Sequence, residues 1–152
     1  MKRRLLWGIF VFIGFYSQGA FAQKCNIKQF KDKCITALQR QRGYTFLKSY
    51  PLDGQGGVKK KIKYSYILSR GTTYILTMAN RRADSRGISV TISTSSGKTL
   101  LNSYDENKKK FHSTVGFNPK VTGVYYFTFE FQKTRNYCAA SVLGFKRRWG
   151  YY

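Results

Sequence analysis

Apolar and polar positions alternate most cleanly towards the C-terminal end of the chain. Over residues 122–131, Tyr125, Phe127, Phe129 and Phe131 fall on one side of an extended strand, and Val124, Tyr126, Thr128 and Glu130 on the other. Strand side chains point alternately to the two faces, so a period of two sets these rings in one row. Burying one such ring stabilises by roughly 1.5–3 kcal/mol, which makes the row the expected core of a sheet. A turn at Thr134-Arg135-Asn136 leads into a further apolar strand over 137–145.

The same period recurs upstream. A strand over 44–50 ends at Pro51, and the glycines of 52–58 make a loop. Over 59–68, Ile62, Tyr64, Tyr66 and Leu68 face in, while Lys61, Lys63 and Ser65 face out. Arg70-Gly71 turns the chain, and Tyr74, Leu76 and Met78 share a face of the strand over 73–79. A polar loop over 80–86 precedes a strand whose inner face is Ile88, Val90 and Ile92. Ser95-Ser96-Gly97-Lys98 is a hairpin turn into a strand over 99–104. After a charged loop over 105–110, a strand over 111–117 breaks at Asn118-Pro119.

One segment has the other period. Ile27, Phe30, Cys34, Ala37 and Leu38 recur at steps of three and four, an apolar stripe on a helix predicted over 26–42. Asn26 suits its N-cap and Gly43 its stop. Lys28, Lys31, Lys33, Arg40 and Arg42 line the rest of the helix. The stripe is expected to pack on the domain rather than on a membrane surface, because a cysteine on it points inward. About eight short antiparallel strands with one polar and one apolar face pack as two sheets. The expected fold is therefore all-β, an antiparallel, jelly-roll-like β-sandwich preceded by one N-terminal α-helix.

The first residues read differently. Lys2, Arg3 and Arg4 precede an apolar run over 5–15, and Ala20-Phe21-Ala22 offers small residues at a cleavage site. This is the pattern of a secretory signal over 1–22, with Gln23 as the new N-terminus. An uncleaved anchor is the alternative, but the run is short for a bilayer. The division expected is residues 1–22 as signal, 23–43 as the packed helix, and 44–152 as the sandwich with a basic, aromatic tail. An exported protein in the periplasm or at the cell surface follows.

Charge sharpens the picture. The whole chain carries a formal +22; the signal holds three of the cations, which leaves +19. Only six acids stand against them: Asp32, Asp53, Asp84, Asp105, Glu106 and Glu130. Such an excess attracts polyanions. Lysine also keeps sheet edges unpaired, so solvated edges are the competing explanation. The candidate polyanion-binding clusters are Lys59, Lys60, Lys61 and Lys63; Arg81, Arg82 and Arg86; Lys108, Lys109 and Lys110; and Lys146, Arg147 and Arg148. The last lies beside Trp149, Tyr151 and Tyr152, which suit docking or stacking on a ligand. Export argues against nucleic acid as the partner and for an anionic glycan, a lipid headgroup or an acidic envelope protein.

The three cysteines, Cys25, Cys34 and Cys138, all follow the signal, so one disulfide with one thiol left over is expected. Cys138 is the distant one and should be a partner. Cys25 and Cys34 in one helix would stand about 13 Å apart, too far to bridge. Cys34–Cys138 is the expected pair because Cys34 lies on the apolar stripe, with Cys25 as the alternative partner. Closing a loop of roughly a hundred residues contributes about 4–5 kcal/mol on the chain-entropy account.

Enzyme signatures are sparse. His112 is the single histidine, and no Cys-x-x-Cys stands in the chain, so no metal site is expected. No G-x-S-x-G is present, and the glycines of 54–57 lack the G-K-[ST] ending of a phosphate loop. No cofactor is expected.

Three blocks carry a resemblance. They are Tyr66-Ile67-Leu68-Ser69-Arg70-Gly71-Thr72-Thr73-Tyr74, then Ile88-Ser89-Val90-Thr91-Ile92 with Ser96-Gly97-Lys98, then Thr122-Gly123-Val124-Tyr125-Tyr126. Together they resemble the strand, glycine-turn and G-x-Y-Y pattern of the bacterial pre-peptidase C-terminal (PPC) domain and its stand-alone relatives. The resemblance implies a β-sandwich that is a non-catalytic appendage of exported proteins, linked to adhesion, substrate binding or secretion. The N-terminal helix and the cysteines depart from that pattern, and no protease domain precedes the sandwich. Some such sandwiches bind calcium through clustered carboxylates; here Lys108, Lys109 and Lys110 beside Asp105-Glu106 argue against it. The reading that results is a non-catalytic exported binding module for an anionic envelope component, such as lipopolysaccharide or an anionic glycan, or for an acidic protein. A structural subunit of an envelope secretion, motility or adhesion assembly is the alternative, and a small hydrolase a distant third.

Overall fold

Strand ends and cysteine positions, more than composition, decide how this chain closes. The computed structural model describes residues 25–82 and 86–147, the last of these by its backbone alone. The helix α1 (Ile27–Gln39) is followed by β1 (Thr45–Asp53), β2 (Lys61–Leu68), β3 (Thr72–Asn80), β4 (Ile88–Thr94) and β5 (Thr99–Asn102). Then come β6 (Tyr104–Asp105), β7 (Lys110–Phe111), β8 (Thr114–Phe117), β9 (Gly123–Phe131) and β10 (Cys138–Arg147). One sheet has the order β1-β10-β3-β8 and the other β2-β9-β4-β5, with every neighbour antiparallel. Consecutive long strands thus cross between sheets, which is the jelly-roll arrangement.

Among the described residues there are ten strands rather than eight, and the sandwich itself uses eight of them. The other two, β6 and β7, form a separate ribbon. The expected strand over 111–117 is divided because Phe111 pairs with β6 while residues 114–117 pair with β3, and the strand over 99–104 is divided at Ser103. Ser103 is buried, its N–H donates to the Val90 carbonyl at 2.9 Å, and its Oγ accepts the Val90 N–H at 2.8 Å. Pro51 does not end β1, which runs on to Asp53. β1 is an edge strand, and an edge tolerates a proline whose missing N–H faces away from the ladder.

The aromatic row lies between the sheets. Tyr125, Phe127, Phe129 and Phe131 are buried with Tyr50, Leu52, Leu68, Tyr74, Leu76, Met78, Ile88, Val90 and Ile92. Tyr50 packs its ring 5.0 Å from Tyr64 and 5.6 Å from Phe127. The Tyr64 hydroxyl donates to the Pro51 carbonyl at 2.6 Å, which ties β2 to β1 across the sandwich.

α1 covers the outer face of the β1-β10-β3-β8 sheet. Cys34, Leu38, Ile75 and Val142 form a second small core there, so β3 is buried on both faces. Leu38 fits because Gly144 stands opposite: a Cβ there would come within 2.5 Å of Leu38 Cδ1. The helix ends at Gln39 rather than at Arg42. Asn26 caps its start, accepting the Gln29 N–H at 3.3 Å, and Gly43 turns the chain with a φ of +82°.

The disulfide corrects an expectation. Cys138 is joined to Cys25, not to Cys34, across a Cα–Cα distance of 5.4 Å. Cys34 does face the sheet, buried as expected of the stripe, but its thiol donates to the Ala140 carbonyl at 3.3 Å. The physical reason is register. Cys138 stands at the very start of β10, level with the beginning of the helix, and Cys34 lies more than two turns further along. Burial pushes the Cys34 thiol up to about 12. The signal over 1–22 lies outside the described residues.

Candidate functional site

Antiparallel pairing determines which loops share an end. Asp53, the last residue of β1, pairs with Cys138, the first of β10, and Ala139 pairs with Asn80 at the close of β3. Lys61 at the start of β2 pairs with Glu130, and Ile88 at the start of β4 with Phe131. The connections β1–β2, β3–β4 and β9–β10 therefore leave the sandwich together. The β6–β7 ribbon joins them. It leaves its sheet at Val90 and reaches the other where the Met78 N–H donates to the Ser113 carbonyl at 2.7 Å.

This topology gathers most of the predicted cations. Lys59 and Lys60 lie in the β1–β2 loop, Arg81, Arg82 and Arg86 in the β3–β4 loop, and Lys108, Lys109 and Lys110 on the ribbon, all exposed. Lys133 and Arg135, in the β9–β10 loop, stand among them and are also exposed. Sequence reading missed these last two, because single cations in a turn form no cluster along the chain. The signal available was their place between two well-marked strands.

Each loop is held at its root by a polar side chain. Asn80 is buried; its Oδ1 accepts the Arg82 N–H at 2.8 Å and its Nδ2 donates to the Arg86 carbonyl at 3.1 Å. Asp53 accepts the Gln55 N–H at 2.8 Å, and the Gly54 N–H donates to the Tyr137 carbonyl at 2.7 Å. In the ribbon, Asp105 accepts the N–H groups of Asn107 and Lys108, and the rings of Tyr104 and Phe111 sit 4.6 Å apart. Thr134 accepts the Asn136 N–H at 3.0 Å, and Asn136 accepts that of Cys138 at 3.3 Å. The Gln132 N–H donates to the Gly87 carbonyl at 2.8 Å and so joins the β9–β10 loop to the β3–β4 loop. The disulfide to Cys25 lies at the same end. These bonds tie down the roots of the loops, and Lys59, Lys60, Arg81, Arg82, Lys108, Lys109, Lys110, Lys133 and Arg135 are exposed to water.

The remaining predicted residues are engaged on strands or lie at the far end. Lys61 is in the first pair of β2 and forms an ion pair with Glu130 at 3.5 Å, the one such pair between described residues. Lys63 lies on the outer face of β2, its Nζ 3.9 Å from the ring centre of Tyr126. Lys146 is at the opposite end of the sandwich, paired with Thr73 and passing over Gly43. Arg147 pairs with Thr72. Arg148, Trp149, Tyr151 and Tyr152 lie outside the described residues. Of that cluster, Lys146 and the backbone of Arg147 thus stand at the end opposite to the other three clusters.

His112 is exposed, and its N–H donates to the Ser103 carbonyl at 2.9 Å. Among the described residues, no three His, Cys, Asp or Glu side chains come together as a metal site would require. No described helix is long and apolar enough to cross a membrane.

No protein-family model matches the chain, and no curated protein matches it. Among solved structures, the chain is similar to PliG of Aeromonas hydrophila, a periplasmic lysozyme inhibitor of g-type lysozyme. That similarity has a TM-score of 0.40 at 11% identity, and it covers 68% of this chain and 85% of that one.

Proposed function

We propose that this protein is a non-catalytic exported module that binds an anionic glycan or glycolipid headgroup of the cell envelope through the basic end of its sandwich. The observation that carries the reading is the convergence of Lys59, Lys60, Arg81, Arg82, Arg86, Lys108, Lys109, Lys110, Lys133 and Arg135 from separate loops onto one end. Like charges held on fixed backbones repel one another, and a polyanion relieves that repulsion while releasing its own counterions. The disulfide supports export, since such bridges persist in oxidising compartments. A stand-alone PPC-like domain is in keeping with the same role.

The chemistry of this end favours a charged polymer over a protein partner. Protein interfaces are centred on buried aromatic and aliphatic anchors and are poor in lysine. Among the described residues, the exposed large apolar side chains Phe46, Ile67, Leu100, Val121 and Val124 belong to strand ends and loops away from the basic end, and Val58 alone lies near it.

Retention on immobilised heparin and on lipopolysaccharide, read across a salt gradient, tests this. The protein should elute far later than a neutral sandwich of the same size. Reversing Lys59, Arg81 and Lys133 to glutamate should bring elution forward more than reversing Lys63, Lys98 and Lys120. Elution of the unmodified protein together with the neutral control would overturn the proposal.

A further inference from the structure

The basic end continues into a groove along the flank of α1. It has a volume of about 520 Å³, within the range of about 300–1,000 Å³ usual for small-ligand sites. One wall is a stripe of the helix at steps of three and four: Gln29, Lys33, Thr36 and Arg40, with Asp32 beside them. Ala37 of the helix adds an apolar surface, and the sheet side is lined by Met78 and Ala79 of β3, Arg82, Ser113 and Thr114 of β8. Arg82 belongs both to the groove and to the loop end, and Asn80 fixes its backbone from beneath.

The groove is chemically unlike the open loops. Three cations, Lys33, Arg40 and Arg82, and one carboxylate, Asp32, line it, and none of the four is in an ion pair with another described residue. Ser113 and Thr114, with hydroxyls, and Gln29, with an amide, line the same groove. Guanidinium groups on both sides suit a carboxylate or sulfate held between them. The carboxylate and hydroxyls suit the ring hydroxyls of a sugar, and the apolar surface suits its C–H face. A bare inorganic anion would use the cations and leave the rest idle.

We propose that this groove seats a single acidic sugar unit at the end of the bound glycan, while the loops hold the following charges. This rests on the reading of the protein as a polyanion binder. It adds a defined seat, so short fragments and long polymers should depend on different residues.

Calorimetric titration with a heparin-derived tetrasaccharide and with tetragalacturonic acid, beside chromatography on full-length heparin, separates the two levels. Arg40→Gln and Ala37→Phe should each weaken a tetrasaccharide by about tenfold or more, the scale of one lost charge-assisted contact. Both variants should move elution from full-length heparin only slightly. Replacing Lys59, Lys60 and Lys133 by alanine should do the reverse. Binding of tetragalacturonic acid identifies the carboxylate as sufficient; binding of the heparin fragment alone identifies sulfate as required. Arg40 is exposed, so its replacement leaves the fold intact even where Ala37→Phe does not. Wild-type affinity in Arg40→Gln, or no binding of either fragment by the wild type, overturns the groove assignment. Loss of retention on full-length heparin by the wild type would instead overturn the reading beneath it.

Discussion

Asn80 holds Arg82 by its backbone: the buried Oδ1 accepts the Arg82 N–H at 2.8 Å. The same side chain donates to the Arg86 carbonyl at 3.1 Å, so one amide fixes both ends of the arginine loop. Replacing Asn80 by leucine keeps the volume and removes both bonds. The expected cost is about 1–3 kcal/mol of stability. Retention on heparin should fall with it, because Arg81, Arg82 and Arg86 lose their common frame. Urea unfolding and heparin chromatography of the same variant measure the two effects; an unchanged unfolding midpoint would show that the amide does not hold the loop.

The bridge from Cys25 to Cys138 spans 113 residues of sequence. Closing a loop of that length restricts the unfolded chain, and removing the bridge should cost about 4–5 kcal/mol. Reduction should therefore lower the urea midpoint strongly in the wild type and in Cys34→Ala, and not at all in the Cys25→Ser, Cys138→Ser double variant. A Cys34→Ala protein that is indifferent to reductant would contradict the pairing.

Stability should fall on the alkaline side. Burial pushes the Cys34 thiol up from its ordinary 9.0 to about 12. Burial also raises Tyr50, with Tyr66 and Tyr64 adding to the effect, and burial raises Tyr64. Between the unfolded and folded values the native state keeps a proton that the unfolded state has released. Stability is then full below pH 9 and is lost as pH rises towards 12, by up to about 1.4 kcal/mol per pH unit for the thiol. Urea midpoints taken from pH 8 to pH 11 should decline, and Cys34→Ala should flatten the decline. Tyr50→Phe should flatten it further without loss at neutral pH, because the Tyr50 hydroxyl is buried without a partner. A flat profile in the wild type would refute the assignment.

Much of this was legible residue by residue. The row Tyr125, Phe127, Phe129 and Phe131 is buried as its alternation requires, and Ile88, Val90 and Ile92 lie on the inner face as read. Cys34 and Leu38 face the sheet as the helical stripe requires. The misreadings share a cause. Pro51 reads as a strand end from its missing N–H alone, and only the strand order shows that β1 is an edge. Cys34 reads as the bridged cysteine from its face of the helix alone, and only the register shows that Cys138 begins its strand level with Cys25.

The sequence by itself determined the period of each segment, the all-β class, and the excess of positive charge. These depend on neighbours along the chain and on counting. Only the tertiary structure decided which cysteine is bridged, that Lys133 and Arg135 join the lysines and arginines of three other connections, and that Lys146 stands at the far end. Those outcomes follow from the register of strands far apart in sequence, and a one-residue slip in any ladder would turn every side chain of that strand to the opposite face.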